Sequence, residues 1–154
     1  MYTPLLALHS ATRWLVLLFV IIMLIRSFWA FGATAKYTLW DSRLRVITSS
    51  VLHIQLVFGV WLYIISPVVS YFWQHFKQAV HMREIRFFGM EHVFMMLAAI
   101  IIMTIGIVKV KRQPTDQLKF KTQLIWFSIG LLIIFTSIPW AFSPLIHRPW
   151  IRNF

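Results

Sequence analysis

The sequence predicts an all-α integral membrane protein: an up-down-up-down bundle of four spanning helices. Three observations carry this. The chain has 154 residues, is 60% hydrophobic and only 12% charged, whereas a soluble domain averages about a quarter charged residues. Its mean hydropathy is +0.76. The apolar residues also fall in blocks of about twenty, the length that crosses a bilayer as helix, without the alternating short strands of a barrel.

The expected spans are Leu5–Ile25, Val46–Ser66, Phe87–Ile107 and Leu124–Phe142. Thr3-Pro4 reads as an N-cap followed by proline in the first turn of span 1. Loop 1–2 (Ser27–Arg45) and loop 3–4 (Val108–Gln123) are short, so successive helices should be antiparallel neighbours. Spans 1 and 3 then lie on one diagonal, spans 2 and 4 on the other. Loop 2–3, SYFWQHFKQAVHMREIR, mixes aromatic and basic residues. It predicts a short amphipathic helix in the outer interface, with Tyr71, Phe72 and Trp73 at headgroup level. The tail SPLIHRPWIRNF holds Pro144 and Pro149 and should leave the bundle as extended chain. Residues 1–154 read as one membrane domain with no linker. No basic n-region precedes the first apolar run, so Met1 is expected to be the mature start.

The chain has no cysteine. That excludes disulfides, iron–sulfur clusters, thiolate metal sites and covalent haem attachment. The net charge of +11 does not point to nucleic acid, because the basic residues sit in loops between spans. They set orientation instead. Nine flank loops 1–2 and 3–4: Arg26, Lys36, Arg43, Arg45, Lys109, Lys111, Arg112, Lys119 and Lys121. Six lie on the other side: Arg13, Lys77, Arg83, Arg86, Arg148 and Arg152. The bias places both short loops in the cytoplasm of a bacterial inner membrane, with the N- and C-termini and loop 2–3 outside.

A faint internal repeat runs through the chain. His9 precedes Arg26, and His92 precedes Lys109, by the same interval. Spans 2 and 4 share Gln-Leu near the inner end (Gln55-Leu56, Gln123-Leu124) and a proline near the outer end (Pro67, Pro139). Together these hint at a two-fold pseudo-axis along the membrane normal.

Ionisable residues inside spans are functional candidates by default. His75, His81 and His147 fall in the outer loop and tail and read as solvated. His9, His53 and His92 fall inside spans. At about 1.5 Å of rise per residue, His9 lies roughly 9 Å and His92 roughly 7–8 Å outward of their span centres. His53 lies roughly 4–5 Å inward of its own. His9 and His92 thus share a level on diagonal helices. Two imidazoles facing each other across a bundle core suit axial ligation of a haem iron. Gly89 and Ala99 share a face with His92, which would let a flat macrocycle approach or simply let helices pack closely. Phe87, Phe88, Phe94, Trp126 and Phe127 are candidate walls.

Arg13 lies one turn deeper than His9 on the same face and needs an anion. Glu91, the only acid inside the spans, is one partner; a haem propionate is the other, with Arg83, Arg86 and Arg148 also available for propionates. His53 is at the wrong depth for the same iron. It is expected to hydrogen-bond Ser49, Ser50 or a backbone carbonyl, or a quinone head group, or else to bind a second haem. A shift of one turn would make His53 with His92 an alternative ligand pair. A Ser–His–Asp set, a phosphate loop and HExxH are absent. A non-haem metal site from Glu91 with the three histidines is disfavoured, because adjacent Glu91 and His92 point about a hundred degrees apart on a helix.

The stretches LHSATRW, HIQLVFGVWLY, RFFGMEHVFMML and SIPW resemble a family of small bacterial four-span membrane proteins of cytochrome b-like type. More distantly the plan is similar to one half of a haem A synthase. Glu91-His92 echoes that family's glutamate–histidine pairing, but its histidine–arginine motif in the second helix is absent. The resemblance implies a non-covalent b-type haem and electron transfer. The expected function is therefore a haem b protein with bis-His ligation by His9 and His92, linked to quinol or to other respiratory membrane subunits. The competing reading is a haem-free structural or assembly subunit of a larger membrane complex, itself open to oligomerisation.

Overall fold

The computed structural model describes residues 1–140, and every regular element among them is helical. Helix α1 spans Tyr2–Gly32 and α2 spans Leu39–Ile65. Three short helices follow: α3 (Pro67–Gln74), α4 (Phe76–Ala79) and α5 (Arg83–Arg86). A π-helical turn, Phe87–Glu91, leads directly into α6 (His92–Lys111), and α7 (Asp116–Ser137) completes the set. Four helices are long and apolar enough to cross a membrane: α1, α2, the continuous Arg83–Lys111 rod and α7. Helix α1 packs on α2 and α7, and α6 packs on α7 and, more lightly, on α2. The four-helix bundle therefore has α1 and α6 on one diagonal and α2 and α7 on the other, as short loops require.

The outside of the bundle is apolar. Ile64 is 75% exposed and Leu132 66%, so hydrocarbon faces outward, as the candidate spans require. The core holds Val20, Met23, Leu52, Ala99, Met103 and Phe127. Close approach of α6 and α7 depends on two glycines. A Cβ on Gly106 would sit 2.5 Å from Trp126 Cβ, and one on Gly130 would sit 2.5 Å from Met103 Cγ. With no hydrophobic drive between helices in lipid, such contacts supply much of the packing.

The helices run further than hydropathy suggests. Helix α1 continues past Ile25 to Gly32, α2 starts at Leu39 rather than Val46, and α7 starts at Asp116 rather than Leu124. The extra turns carry Arg26, Arg43, Arg45, Lys119 and Lys121, which lower the local hydropathy without breaking the helix. Capping defines the true starts. Thr38 and Asp41 form a reciprocal capping box on α2, and the Thr115 hydroxyl accepts from Leu118 N–H on α7, each satisfying orphan amides. At the other end α7 stops at Ser137, two residues before Pro139. The expected extension to Phe142, and the tail with Pro144, His147, Arg148, Pro149 and Arg152, lie outside the described residues.

Loop 2–3 is not one interfacial helix but three short ones. Ser66 caps α3, its hydroxyl accepting from Val69 N–H, with Pro67 in the first turn. Of the residues expected at headgroup level, Trp73 is 55% exposed but Phe72 is fully buried. It shares a face with Val69, and that face turns inward.

The end of the bundle that holds the 33–38 connection is tied by a polar knot. Asp41, buried on α2, accepts from Arg26 Nε of α1 at 2.8 Å and from Thr38 N–H at 2.8 Å. The Tyr37 hydroxyl donates to Gln123 Oε1 of α7 at 3.1 Å, and Gln123 Nε2 donates to Ser27 Oγ of α1 at 2.7 Å. Burial holds the Tyr37 phenol above its ordinary range, so it stays a neutral donor. Three helices are joined here through Asp41 and Gln123. Asp41→Ala removes the cap and the charged hydrogen bonds together and should cost on the order of 2–3 kcal/mol. A lowered thermal midpoint in detergent, against an unchanged one for the exposed Lys111→Ala control, is the expected reading.

Candidate functional site

A cavity of about 410 Å³ lies in the half of the bundle nearer α3 to α5, within the range of about 300–1,000 Å³ typical of ligand sites. Helix α1 lines it with Leu6, His9, Ser10, Arg13 and Val16. Helix α2 contributes Leu52, Gln55, Leu56, Gly59, Leu62 and Tyr63, and α6 contributes His92, Val93, Met96, Leu97 and Ile100. Each set recurs at three- and four-residue spacing, so one face of each helix is committed to the cavity. The walls are mostly apolar, and the polar groups converge from α1, α2 and α6.

The diagonal pair α1 and α6 brings His9 and His92 to this one cavity. They lie within electrostatic reach of each other and of Arg13. His92 stands where the π turn gives way to α6. Its Nδ1 donates to the Ser137 carbonyl at 3.0 Å. That carbonyl ends α7 and has no helical donor left to take it. The bond fixes the tautomer and leaves Nε2 as a lone-pair donor, the arrangement typical of metal-ligating histidine.

His9 is held differently. Its ring lies against Gly59, where a Cβ would come within 3.2 Å of Cε1. Gln55 Nε2 donates to the His9 carbonyl at 2.9 Å and sits 3.4 Å from His9 Nε2. The Thr12 hydroxyl meets Gln55 Oε1, which fixes the amide orientation. Among the described residues, His9 Nδ1 is buried without a hydrogen-bond partner.

The backbone around His92 is clamped. The Tyr63 hydroxyl donates to the Gly89 carbonyl at 2.8 Å and accepts from Trp73 Nε1 at 3.0 Å. A Cβ on Gly89 would lie 2.3 Å from Phe72 Cγ. Gly89 therefore makes room for Phe72, not for a macrocycle. Ala99 belongs to the hydrophobic core and also lies away from the cavity. Of the five expected aromatic walls only Phe88 lines it. Phe87 packs beside the His92 ring at 5.6 Å, Phe94 is exposed to the outside, Phe127 is core, and Trp126 carries Lys109 on its face at 5.0 Å.

Arg13 lines the cavity with its guanidinium 5.2 Å from the Trp14 ring centre. Glu91 is not its partner. Arg86 Nε holds the Glu91 carboxylate at 2.6 Å, because the wider π turn brings residues five apart together. Arg86 also donates to the Val80 carbonyl at 3.1 Å, so its donors serve local acceptors.

His53 stands apart, outside the cavity. Its Nδ1 donates to the Ser49 carbonyl at 2.7 Å, and Nε2 lies 3.5 Å from Thr104 Oγ1. Thr104 is twelve residues along α6 from His92, roughly 18 Å of helix. That separation removes His53 with His92 as a pair on one iron. Among the described residues no three His, Asp or Glu side chains cluster for a metal. His75 and His81 are exposed, and His75 stacks on Tyr71 at 4.5 Å.

Gln55, Gly59, Tyr63 and Phe72 were not legible as site residues. Their signal was present: Leu52, Gln55, Leu56, Gly59, Leu62 and Tyr63 fall on one face of α2, a polar and small stripe in an apolar helix. No protein-family model matches the chain, and neither a curated protein nor a solved structure matches it.

The clamp yields a prediction. Gly89→Ala should destabilise the bundle by about 1–3 kcal/mol through overpacking. Phe72→Leu in the same chain should recover part of that loss. A double-mutant cycle on thermal midpoints with no coupling between the two positions would show that Phe72 does not fill the Gly89 gap.

Proposed function

We propose that the chain is a haem b-binding electron-transfer protein of a bacterial inner membrane, with iron held between His9 and His92. The observation that carries this reading is the shared cavity. Two histidines from diagonal helices line it, and His92 has its Nδ1 committed to a backbone carbonyl, leaving Nε2 for ligation. The residues present fit the group. His9 has a buried ring nitrogen with no protein partner, Arg13 is a cation beside both imidazoles suited to a propionate, and the walls are apolar. Such a haem supplies a one-electron couple. This chain's residues bind it, orient it, exclude water and set its potential through ligand hydrogen bonding and burial. A site in the outer half of the bundle suits electron exchange with quinol or with another respiratory membrane subunit on the outer side. The resemblance of LHSATRW and RFFGMEHVFMML to cytochrome b-like proteins supports the same reading.

A second reading has its own support. Gln55 and Gln123 each reach α1 by hydrogen bonds, the work expected of polar residues that only hold helices together. Under it the chain is a haem-free structural or assembly subunit.

An optical spectrum of the detergent-purified protein separates the two. The haem reading expects a reduced b-type band and about one pyridine hemochrome per chain, abolished by His92→Ala with the bundle still folded. A colourless preparation from haem-replete cells would leave the structural reading in its place.

The basic residues assign orientation: loops 33–38 and 112–115 inside, α3 to α5 outside. The cysteine-free chain allows a direct check. A single Gln78→Cys should react with an impermeant maleimide added to whole spheroplasts, and a single Gln113→Cys should react only after lysis. The opposite labelling would invert the topology.

A further inference from the structure

We propose that the two histidines are unequal: His92 is the fixed iron ligand, and His9 is a displaceable one that yields its place to a small neutral molecule such as a diatomic gas. The inference rests on the haem reading above and goes beyond it, because a sealed electron carrier keeps both ligands.

The asymmetry begins with the second nitrogen of each ring. His92 Nδ1–H has a backbone acceptor at 3.0 Å. That bond raises the basicity of Nε2 and prevents the ring from turning. The backbone beneath it is also held, by Tyr63 on the Gly89 carbonyl and by Phe72 over Gly89. Phe87, itself buried, flanks the ring. Displacing His92 would mean breaking the close of α7 and the π turn together.

His9 has none of this. A neutral imidazole carries one N–H, on Nδ1 or on Nε2. With the proton on Nδ1, the N–H is buried with no acceptor. With the proton on Nε2, it faces the Gln55 amide nitrogen, itself a donor, at 3.4 Å. The amide is not free to turn over, because Thr12 holds its oxygen and the His9 carbonyl takes its N–H. Either tautomer of His9 is therefore left without a second-shell acceptor, and its donor strength is correspondingly lower. The Gln55 N–H also stands ready to receive the Nε2 lone pair once it leaves a metal. Gly59 lies against the ring and carries no Cβ on that side to brace it. In the exchange one iron–nitrogen bond breaks and one bond to the incoming donor forms; His9 keeps its electron pair and no redox change is needed.

The test uses the full chain, purified with its haem, reduced with dithionite and titrated with carbon monoxide. The wild type should pass from a low-spin six-coordinate spectrum to a carbon monoxide form. His9→Gly should keep its haem, bind carbon monoxide at least tenfold more tightly, and regain the low-spin spectrum on addition of imidazole. His92→Gly should lose most of its haem. A wild type that holds low-spin haem but ignores saturating carbon monoxide overturns this inference and leaves the haem reading standing. So does haem that survives His92→Gly but not His9→Gly. A haem-free wild type removes both.

Should both histidine variants fail to fold, Gly59 supplies a second route that keeps both ligands. The Cβ position there is 3.8 Å from His9 Nδ1, so Gly59→Ser brings a hydroxyl acceptor to the unpaired nitrogen, and Gly59→Ala adds the same bulk without it. Gly59→Ser should need about tenfold more carbon monoxide for half-saturation than Gly59→Ala. Equal values would show that His9 is not weakened by its lack of an acceptor.

Discussion

At membrane depth, water does not stand ready to satisfy a stray donor or acceptor, and each polar group must find its partner inside the bundle. That constraint arranges almost every polar side chain here. The Ser137 carbonyl, orphaned where α7 ends, is met by His92 from α6. The Phe135 carbonyl, in the same last turn, is met by Trp140 Nε1 at 2.8 Å. Gln55 serves α1 by donating to the His9 carbonyl. Gln123, Ser27 and Tyr37 form a chain that links α7, α1 and the connection into α2. Helix packing in hydrocarbon gains little from burial of apolar area alone, so these bonds, with the glycine contacts at Gly106 and Gly130, fix which helices are neighbours.

The two ends of the bundle meet that constraint in opposite ways. At the end that holds the 33–38 connection the polar groups satisfy one another: the Asp41 carboxylate accepts four hydrogen bonds from Arg26 and Thr38, and Tyr37 packs on Phe120 with ring centres 4.9 Å apart. In the half nearer α3 to α5, polar groups converge on a cavity instead, and His9 Nδ1 is left over among the described residues. A protein that needed only a stable bundle has no reason to keep that nitrogen unsatisfied when a buried, unpaired polar atom costs about 1–3 kcal/mol. The locked end lets the half that holds the cavity carry the cost.

The sequence made the bundle legible because hydrocarbon thickness dictates block length, and short loops dictate neighbours. It also made His9, His92 and Arg13 legible, because imidazole or guanidinium inside a span stands out against an apolar background. What it hid depended on contacts between distant residues. Gly89 and Ala99 shared a face with His92 on an ideal helix, but Gly89 is claimed by Phe72, and only the folded loop 2–3 brings that ring there. Glu91 looked like the natural partner of Arg13 until the π turn shifted the register and gave it to Arg86. The helix limits were short because hydropathy records where lipid is, and a helix with capping residues such as Thr38 and Thr115 continues past it.

The π turn connects these misses. A single residue of extra winding changes which side chains meet: Arg86 reaches Glu91, the Gly89 carbonyl turns toward Tyr63, and His92 arrives at the mouth of α7 with its ring beside Phe87. Such turns recur at functional sites because they re-aim a side chain that a regular helix would point elsewhere. Here the re-aimed side chain is the histidine whose second nitrogen is already committed. Helices α6 and α7 are thereby joined at the cavity end by the same residue that faces the cavity, while α2 and α6 touch more lightly. The histidine on the firm side of the cavity is thus held by two helices, whereas the one on the other side lies against Gly59 and beside Gln55.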